Sequence, residues 1–231
     1  VEAMRFLEHF GIKALVVACN SASALAMDAL RAASQVPVLG VVEAGVERAL
    51  EVTRTGVLGV IGRRAASGSR CYETGRAAKR PGVSVVSAAC PLFVPLVEEG
   101  WIDHPVTRAV AAEYLTPLAE RGVGTVIRGC THDRLLKGII GEVLGEAVTL
   151  IDSGEAVAAQ VGKYLEAQGL AAEAPRTGAH RYFVSDQPER FLHEGRRFLG
   201  DDAIGSVEAV DQSDLPWYGR KAQDAPEGEG S

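Results

Sequence analysis

Apolar runs rich in Val, Ile and Leu recur along the chain at 14–18, 38–42, 57–61, 83–87, 124–128 and 147–151. Each is the length of a strand, and most are separated by segments with helical character. Those segments are 2–10, 21–34, 43–52, 70–80, 92–99, 105–121, 132–145 and 154–168, several with apolar residues at helical spacing, as Phe6, Leu7 and Phe10 show in the first. The alternation predicts an α/β fold with mainly parallel sheets. A shorter α/β stretch follows, with His180–Val184 as a strand and Pro188–Leu199 as a helix. From about Ser213 the chain turns to Pro, Gly, Asp, Glu and Gln, a composition that buries too little apolar surface to order itself, so 213–231 is expected to be a disordered tail. Gly56, Gly59 and Gly62 surround the third run, but their spacing is not that of a dinucleotide fingerprint.

Composition narrows the function. Of the 231 residues 47% are hydrophobic and 23% charged, which suits a globular chain with one large core or two smaller ones. A formal net charge of -6 and the lack of extended basic clusters exclude broad binding to nucleic acid or anionic membrane. No apolar run approaches the roughly 18 residues that cross a bilayer, and no secretory signal opens the sequence, so the expected compartment is the cytoplasm. Cys19, Cys71, Cys90 and Cys130 show no CxxC spacing, which argues against a zinc knuckle or a thioredoxin-type site and for free thiols. The opening residue, Val1, reads as the start of a fragment or of a processed chain.

Two segments share one design, an apolar strand followed by a cysteine, small hydroxyl or amide residues and a helix. They are Val16-Val17-Ala18-Cys19-Asn20-Ser21-Ala22-Ser23-Ala24 and Val126-Ile127-Arg128-Gly129-Cys130-Thr131-His132. In open α/β sheets ligands sit beyond the carboxyl ends of strands, where the next helix offers free N–H groups and a favourable dipole. That location predicts a lowered thiol pKa and a supply of thiolate. A single such cysteine would read as a buried small residue ending a strand; two shift the balance. Asn20, Ser21 and Thr131 would otherwise be ordinary helix caps, and His132 a helix-start or surface histidine.

These segments resemble the glutamate racemase family. Ala18-Cys19-Asn20-Ser21-Ala22-Ser23-Ala24 is similar to the signature around the family's first catalytic cysteine, with Ser21 in place of the usual threonine, and Gly129-Cys130-Thr131-His132 is similar to the second. Ala89-Cys90-Pro91 through Gly100, Asp152-Ser153-Gly154 and His180–Val184 add to the likeness, which runs to about Asp211. The resemblance implies two pseudo-symmetric parallel-sheet α/β domains with the active site in the cleft between them. The first would be discontinuous, residues 1–43 and 153–212, and the second would span 44–152. It implies a two-base interconversion of L- and D-glutamate for peptidoglycan synthesis, in which one thiolate removes the α-proton while the opposite thiol protonates the other face. No metal, pyridoxal phosphate or other cofactor is needed. Residue by residue, Cys19 and Cys130 become the acid/base pair and His132 a helper near Cys130. Asn20, Ser21 and Thr131 would hold the substrate's carboxylate or ammonium, and Glu98 matches a glutamate near the family's active site, although a helical Glu followed by Glu99 is more often solvated. Cys71 and Cys90 are not catalytic candidates.

The chain also departs from the family pattern. Family members begin with a strand ending in Asp-Ser-Gly and later carry a Tyr-Gly pair; neither is found here, so the first domain reads as N-terminally truncated, and Asp152-Ser153-Gly154 corresponds to a separate segment. An uncovered sheet flank predicts poor solubility unless another chain covers it, and a homodimer is among the expected assemblies. Arg63 and Ala66 stand where the family has substrate-binding threonines; Arg63 could hold a carboxylate or point into solvent. Asp133-Arg134 replaces an aromatic-proline pair, and Arg128 occupies an apolar strand position, where it must be paired or exposed. These departures keep open a catalytically impaired remnant with a binding or regulatory role. An aspartate-specific racemase is the alternative within the superfamily. A cysteine hydrolase built on Cys130 and His132 is disfavoured, because residues two apart at a helix start do not readily form a nucleophile–base pair.

Overall fold

The computed structural model describes residues 1–172, 180–200 and 203–210, so the expected tail at 213–231 lies outside the described residues. The described elements begin with α1 (Glu2–Glu8), β1 (Leu15–Val17), α2 (Asn20–Leu25), α3 (Met27–Ala33), β2 (Val38–Gly40), α4 (Val41–Val52) and β3 (Val57–Gly62). They continue with α5 (Arg64–Ser67), α6 (Cys71–Lys79), β4 (Ser84–Ala89), α7 (Phe93–Glu98), α8 (Pro105–Glu120) and β5 (Thr125–Gly129). A 3-10 turn at Thr131–Arg134 precedes α9 (Lys137–Leu144), β6 (Thr149–Asp152), α10 (Ser153–Ala167), β7 (Phe183–Val184), α11 (Pro188–Leu199) and β8 (Glu208–Ala209). The α/β alternation is therefore present, and its paired strands are parallel.

The expected helix 21–34 is two helices parted at Ala26. Its first turn is held from outside: Asn20 donates to Tyr72 and Ser153, and the Ser23 hydroxyl accepts the Val42 N–H. The expected helix 132–145 likewise starts as a 3-10 turn, because the amides of Asp133, Leu135 and Leu136 bond to carbonyls three residues back. The short elements α5 and β8 leave no periodic trace in the sequence.

By backbone contacts the described residues form two compact units, one of 1–12, 33–35, 172, 180–200 and 203–210, the other of 13–32 and 36–171. In the first, Phe6, Phe10 and Phe183 pack ring on ring, and the Arg181 guanidinium lies over Phe10 and Phe183 while it pairs with Glu208. Glu8 accepts from the Ser34 hydroxyl and the Gln35 amide. The second unit holds the β1–β2 pair and a four-stranded sheet ordered β4-β3-β5-β6. One face of this sheet, with Leu58, Val60, Ile127 and Ile151, packs against Val42, Val46, Ala49 and Leu50 of α4 and Tyr72 of α6. On the other face a Cβ on Gly59 would lie 2.8 Å from Val126 and 3.1 Å from Leu118 of α8. Both faces are covered, which is why the strand sequences are almost continuously apolar.

Arg128 breaks that apolar run and is buried, 5% exposed. Its partner is Asp152, its register neighbour on β6, at 2.9 Å. The other Asp152 oxygen accepts the Gly154 and Glu155 amides and so caps α10. Removing Asp152 leaves the buried Arg128 cation without its bonded partner, so Asp152→Ala should cost about 3–5 kcal/mol, while Arg128→Met/Asp152→Ala should recover much of that loss; urea denaturation of the four members of the cycle measures it. A second expectation comes from Gly129, where an added Cβ would meet the Ile61 carbonyl oxygen at 2.6 Å and the Tyr72 hydroxyl at 3.0 Å. Gly129→Ala should destabilise by about 1–3 kcal/mol, seen as a lower urea midpoint at unchanged slope.

Candidate active site

Cys19 lies two residues past β1 as the extended cap residue of α2, and its carbonyl accepts the Ser23 amide at 2.8 Å. Cys130 follows β5 directly as the extended cap residue of the 3-10 turn. Both belong to the larger compact unit. Cys19 is exposed and Cys130 half-buried.

The segments flanking the two cysteines converge on one small polar cluster. The buried Asn20 side chain donates to the Tyr72 hydroxyl at 3.1 Å and to Ser153 Oγ at 3.3 Å. The Ser153 hydroxyl in turn donates to the Arg128 carbonyl at 3.2 Å, and the Tyr72 hydroxyl sits against Gly129, where no side chain intervenes. The residue after Cys19 and the two before Cys130 therefore share Tyr72 and Ser153. Burial pushes the Tyr72 hydroxyl's pKa up, with the Asn20 bond opposing, so it stays a neutral phenol.

Around Cys130 the sequence-expected residues sit as follows. His132 Nδ1 lies 3.9 Å from the Cys130 sulfur, and His132 Nε2 lies 3.5 Å from Glu98 on α7, giving a Cys–His–Glu line. Arg63, an exposed residue capping α5, has its charge close enough to favour a Cys130 thiolate. Thr131 is exposed and Ser21 half-buried. Asn20 differs from the expectation, because its amide N–H groups are already committed to Tyr72 and Ser153.

The electrostatics also depart from expectation. Proximity to a helix start was expected to lower the Cys130 pKa, yet burial, and next the negative charge of Asp133, push it up to about 12. The amides of His132 and Asp133 and the Arg63 charge oppose this without prevailing. A single 3-10 turn has few aligned peptide dipoles, whereas desolvation of a thiolate acts at full strength. Asp133 is 1% exposed and pushed up to about 7 by burial, with Arg128 opposing. Its Oδ2, and Nε and Nη1 of Arg128, have no hydrogen-bond partner among the described residues. Cys90, also pushed up to about 12 by burial and by Asp133, adjoins the same group. Sequence reasoning missed Tyr72, Ser153 and Asp133 as parts of this cluster; the one available signal was the Asp133-Arg134 departure itself.

Comparison with known proteins identifies the family. A family model described as Asp/Glu/Hydantoin racemase matches residues 1–161. The glutamate racemase of Geobacter metallireducens is 48% identical over 210 residues, covering 91% of this chain and 77% of that protein. Among solved structures, glutamate racemase isoform RacE1 from Bacillus anthracis superposes with a TM-score of 0.86 at 36% identity, covering 91% of this chain and 78% of that one. The glutamate racemase of Francisella tularensis, solved in complex with D-glutamate, superposes with a TM-score of 0.82 at 30% identity over the same shares. These likenesses favour a racemase over a remnant with only a binding or regulatory role. The chain belongs to the Asp/Glu racemase family and, within it, to the glutamate racemases, which are amino-acid isomerases.

Proposed function

We propose that this chain interconverts L- and D-glutamate without a cofactor, with Cys19 and Cys130 as the two acid/base groups. The observation that carries the reading is the shared cluster of Asn20, Tyr72, Ser153 and the residues at 128–129, which ties the two cysteine-bearing strand ends to one locale. In the forward step a thiolate sulfur takes the α-proton, and the electron pair left on the α-carbon spreads into the carboxylate. The opposite S–H then delivers its proton to the other face, so one thiolate and one thiol exchange states in each turnover. His132, held toward Glu98, stabilises the proton inventory at Cys130. Thr131, Ser21 and Arg63 present polar groups to the carboxylates, and the Asn20 side-chain carbonyl oxygen is left to accept from the substrate ammonium. The D-glutamate complex of the Francisella relative supports glutamate as the substrate.

The proposal includes the domain division at residues 1–43 with 153–212 and 44–152, supported by the separation of the β1–β2 pair from the four-stranded sheet. It also includes the cytoplasm as the compartment, a role in peptidoglycan supply, and a homodimer as the assembly. Four free thiols fit a reducing compartment, and among the described residues no helix is long and apolar enough to cross a membrane.

Circular dichroism of L-glutamate incubated with the full chain tests the activity: the signal should decay to zero as the racemate forms. Cys19→Ser and Cys130→Ser should each lower kcat by about 10²–10⁴-fold while leaving the folded far-ultraviolet spectrum intact. A constant glutamate signal with the folded parent chain, at enzyme concentrations approaching that of the substrate, would overturn the reading.

A further inference from the structure

We infer that Asp133 is a positioning residue for the racemisation, whose buried carboxylate keeps Cys130 waiting as the thiol proton donor instead of the thiolate. The inference rests on the proposed role of Cys130 and assigns what sets its resting state.

The geometry comes first. Asp133 stands three residues after Cys130 in the 3-10 turn, and its amide donates to the Cys130 carbonyl at 3.2 Å, which folds the turn back over the cysteine. Its side chain is buried, and Oδ2 has no hydrogen-bond partner among the described residues. Charge on that oxygen is attenuated by no hydrogen-bond donor of the described residues and acts through a low-dielectric surround. The titratable and charged groups coupled to it are Arg128 on β5, Cys90 after β4, Tyr72 on α6 and Cys130 itself, while Arg63 at α5 and His132, paired with Glu98 of α7, act on Cys130. Arg128 is the counter-charge, but its bonded nitrogen goes to Asp152 at 2.9 Å, and its Nε and Nη1 bond to no described residue. It attenuates Asp133 without neutralising it.

The sign follows. Asp133 titrates near 7, and while it is ionised its charge lies beside the site where a Cys130 thiolate would form, adding to the desolvation that already favours the thiol. Protonating Asp133 removes that repulsion. The two groups therefore form a coupled pair, in which the first proton to leave comes mainly from Asp133 and the second from Cys130 at higher cost. The backbone of the same residue acts oppositely, since its N–H favours the thiolate. A neutral replacement keeps that N–H and removes only the carboxylate charge, which makes the effect separable from the shape of the turn.

Iodoacetamide labelling of Cys130 in the full chain, read by peptide mass spectrometry between pH 6 and 10, tests this without turnover, so it succeeds or fails separately from glutamate racemisation. In the parent chain the logarithm of the labelling rate should climb with pH, flatten just above pH 7 as Asp133 ionises, and climb again. In Asp133→Asn the flattening should vanish and Cys130 should label about three- to tenfold faster at pH 8.5, with Cys19 labelling unchanged as the internal reference. Asp133→Ser reads the same shift if the asparagine variant does not fold. Superimposable Cys130 profiles in parent and folded variant would overturn the inference, as would a parent profile that rises with one uniform slope through pH 7.

Discussion

A single carboxylate organises the reactive end of the large sheet. Asp152 closes the last register position of β6 onto Arg128 of β5, and its second oxygen accepts the first amides of α10. The next residue, Ser153, donates to the Arg128 carbonyl and accepts from Asn20. Two strands, one long helix and the short helix behind Cys19 are thus referenced to one ion pair and one hydroxyl. A buried ion pair contributes little net stability against an apolar alternative, because desolvation offsets most of its attraction. What it supplies is direction, since the pair has one good geometry and a hydrophobic contact has many.

The strands were the most legible part of the fold. Their Val/Ile/Leu runs reflect burial on both faces of the sheet, and that burial is the packing constraint the observed layers satisfy. Helix presence was legible for the same reason, but helix continuity was not. The break at Ala26 and the 3-10 turn at Thr131–Arg134 depend on bonds from Asn20, Ser23 and Asp133 to partners that sequence spacing does not reveal. The glycines divide similarly. Gly129 looks like an ordinary small residue before a cysteine, and only the register beside Gly62 and the Tyr72 hydroxyl shows why no side chain fits.

The candidate site was legible as residue types and not as electrostatics. Cys19, Cys130 and His132 could be named because a cysteine after an apolar strand is a local pattern, and Glu98 could be named from the family likeness. Tyr72 could not, since it lies 52 residues from Asn20 and carries no mark except helical burial. The direction of the Cys130 shift was misjudged because the helix-start argument counts peptide dipoles and ignores how much water the turn excludes. Arg128 and Asp133 looked like isolated anomalies in the sequence. In the structure Arg128 is the charge that opposes the raised Asp133 pKa, which links the two departures, although the bonded partner of Arg128 is Asp152.

A thiol with high proton affinity is a defensible instrument for the proposed reaction. The α-proton of an amino acid is far less acidic than any thiol, so the step is uphill for every available base, and a more basic thiolate makes it less so. The cost is population: a thiol at about 12 is ionised in only about one molecule in 10⁵ at pH 7, from the difference of five pH units. In the proposed reaction an amino-acid substrate changes that balance, because its ammonium group brings a cation to the desolvated sulfur and favours the thiolate, as the Arg63 charge already does. Burial that penalises a lone thiolate also strengthens its attraction to that cation. On this argument Cys130 is kept protonated until the substrate supplies the compensating charge, which confines its strongest basicity to the moment when a proton is there to be taken.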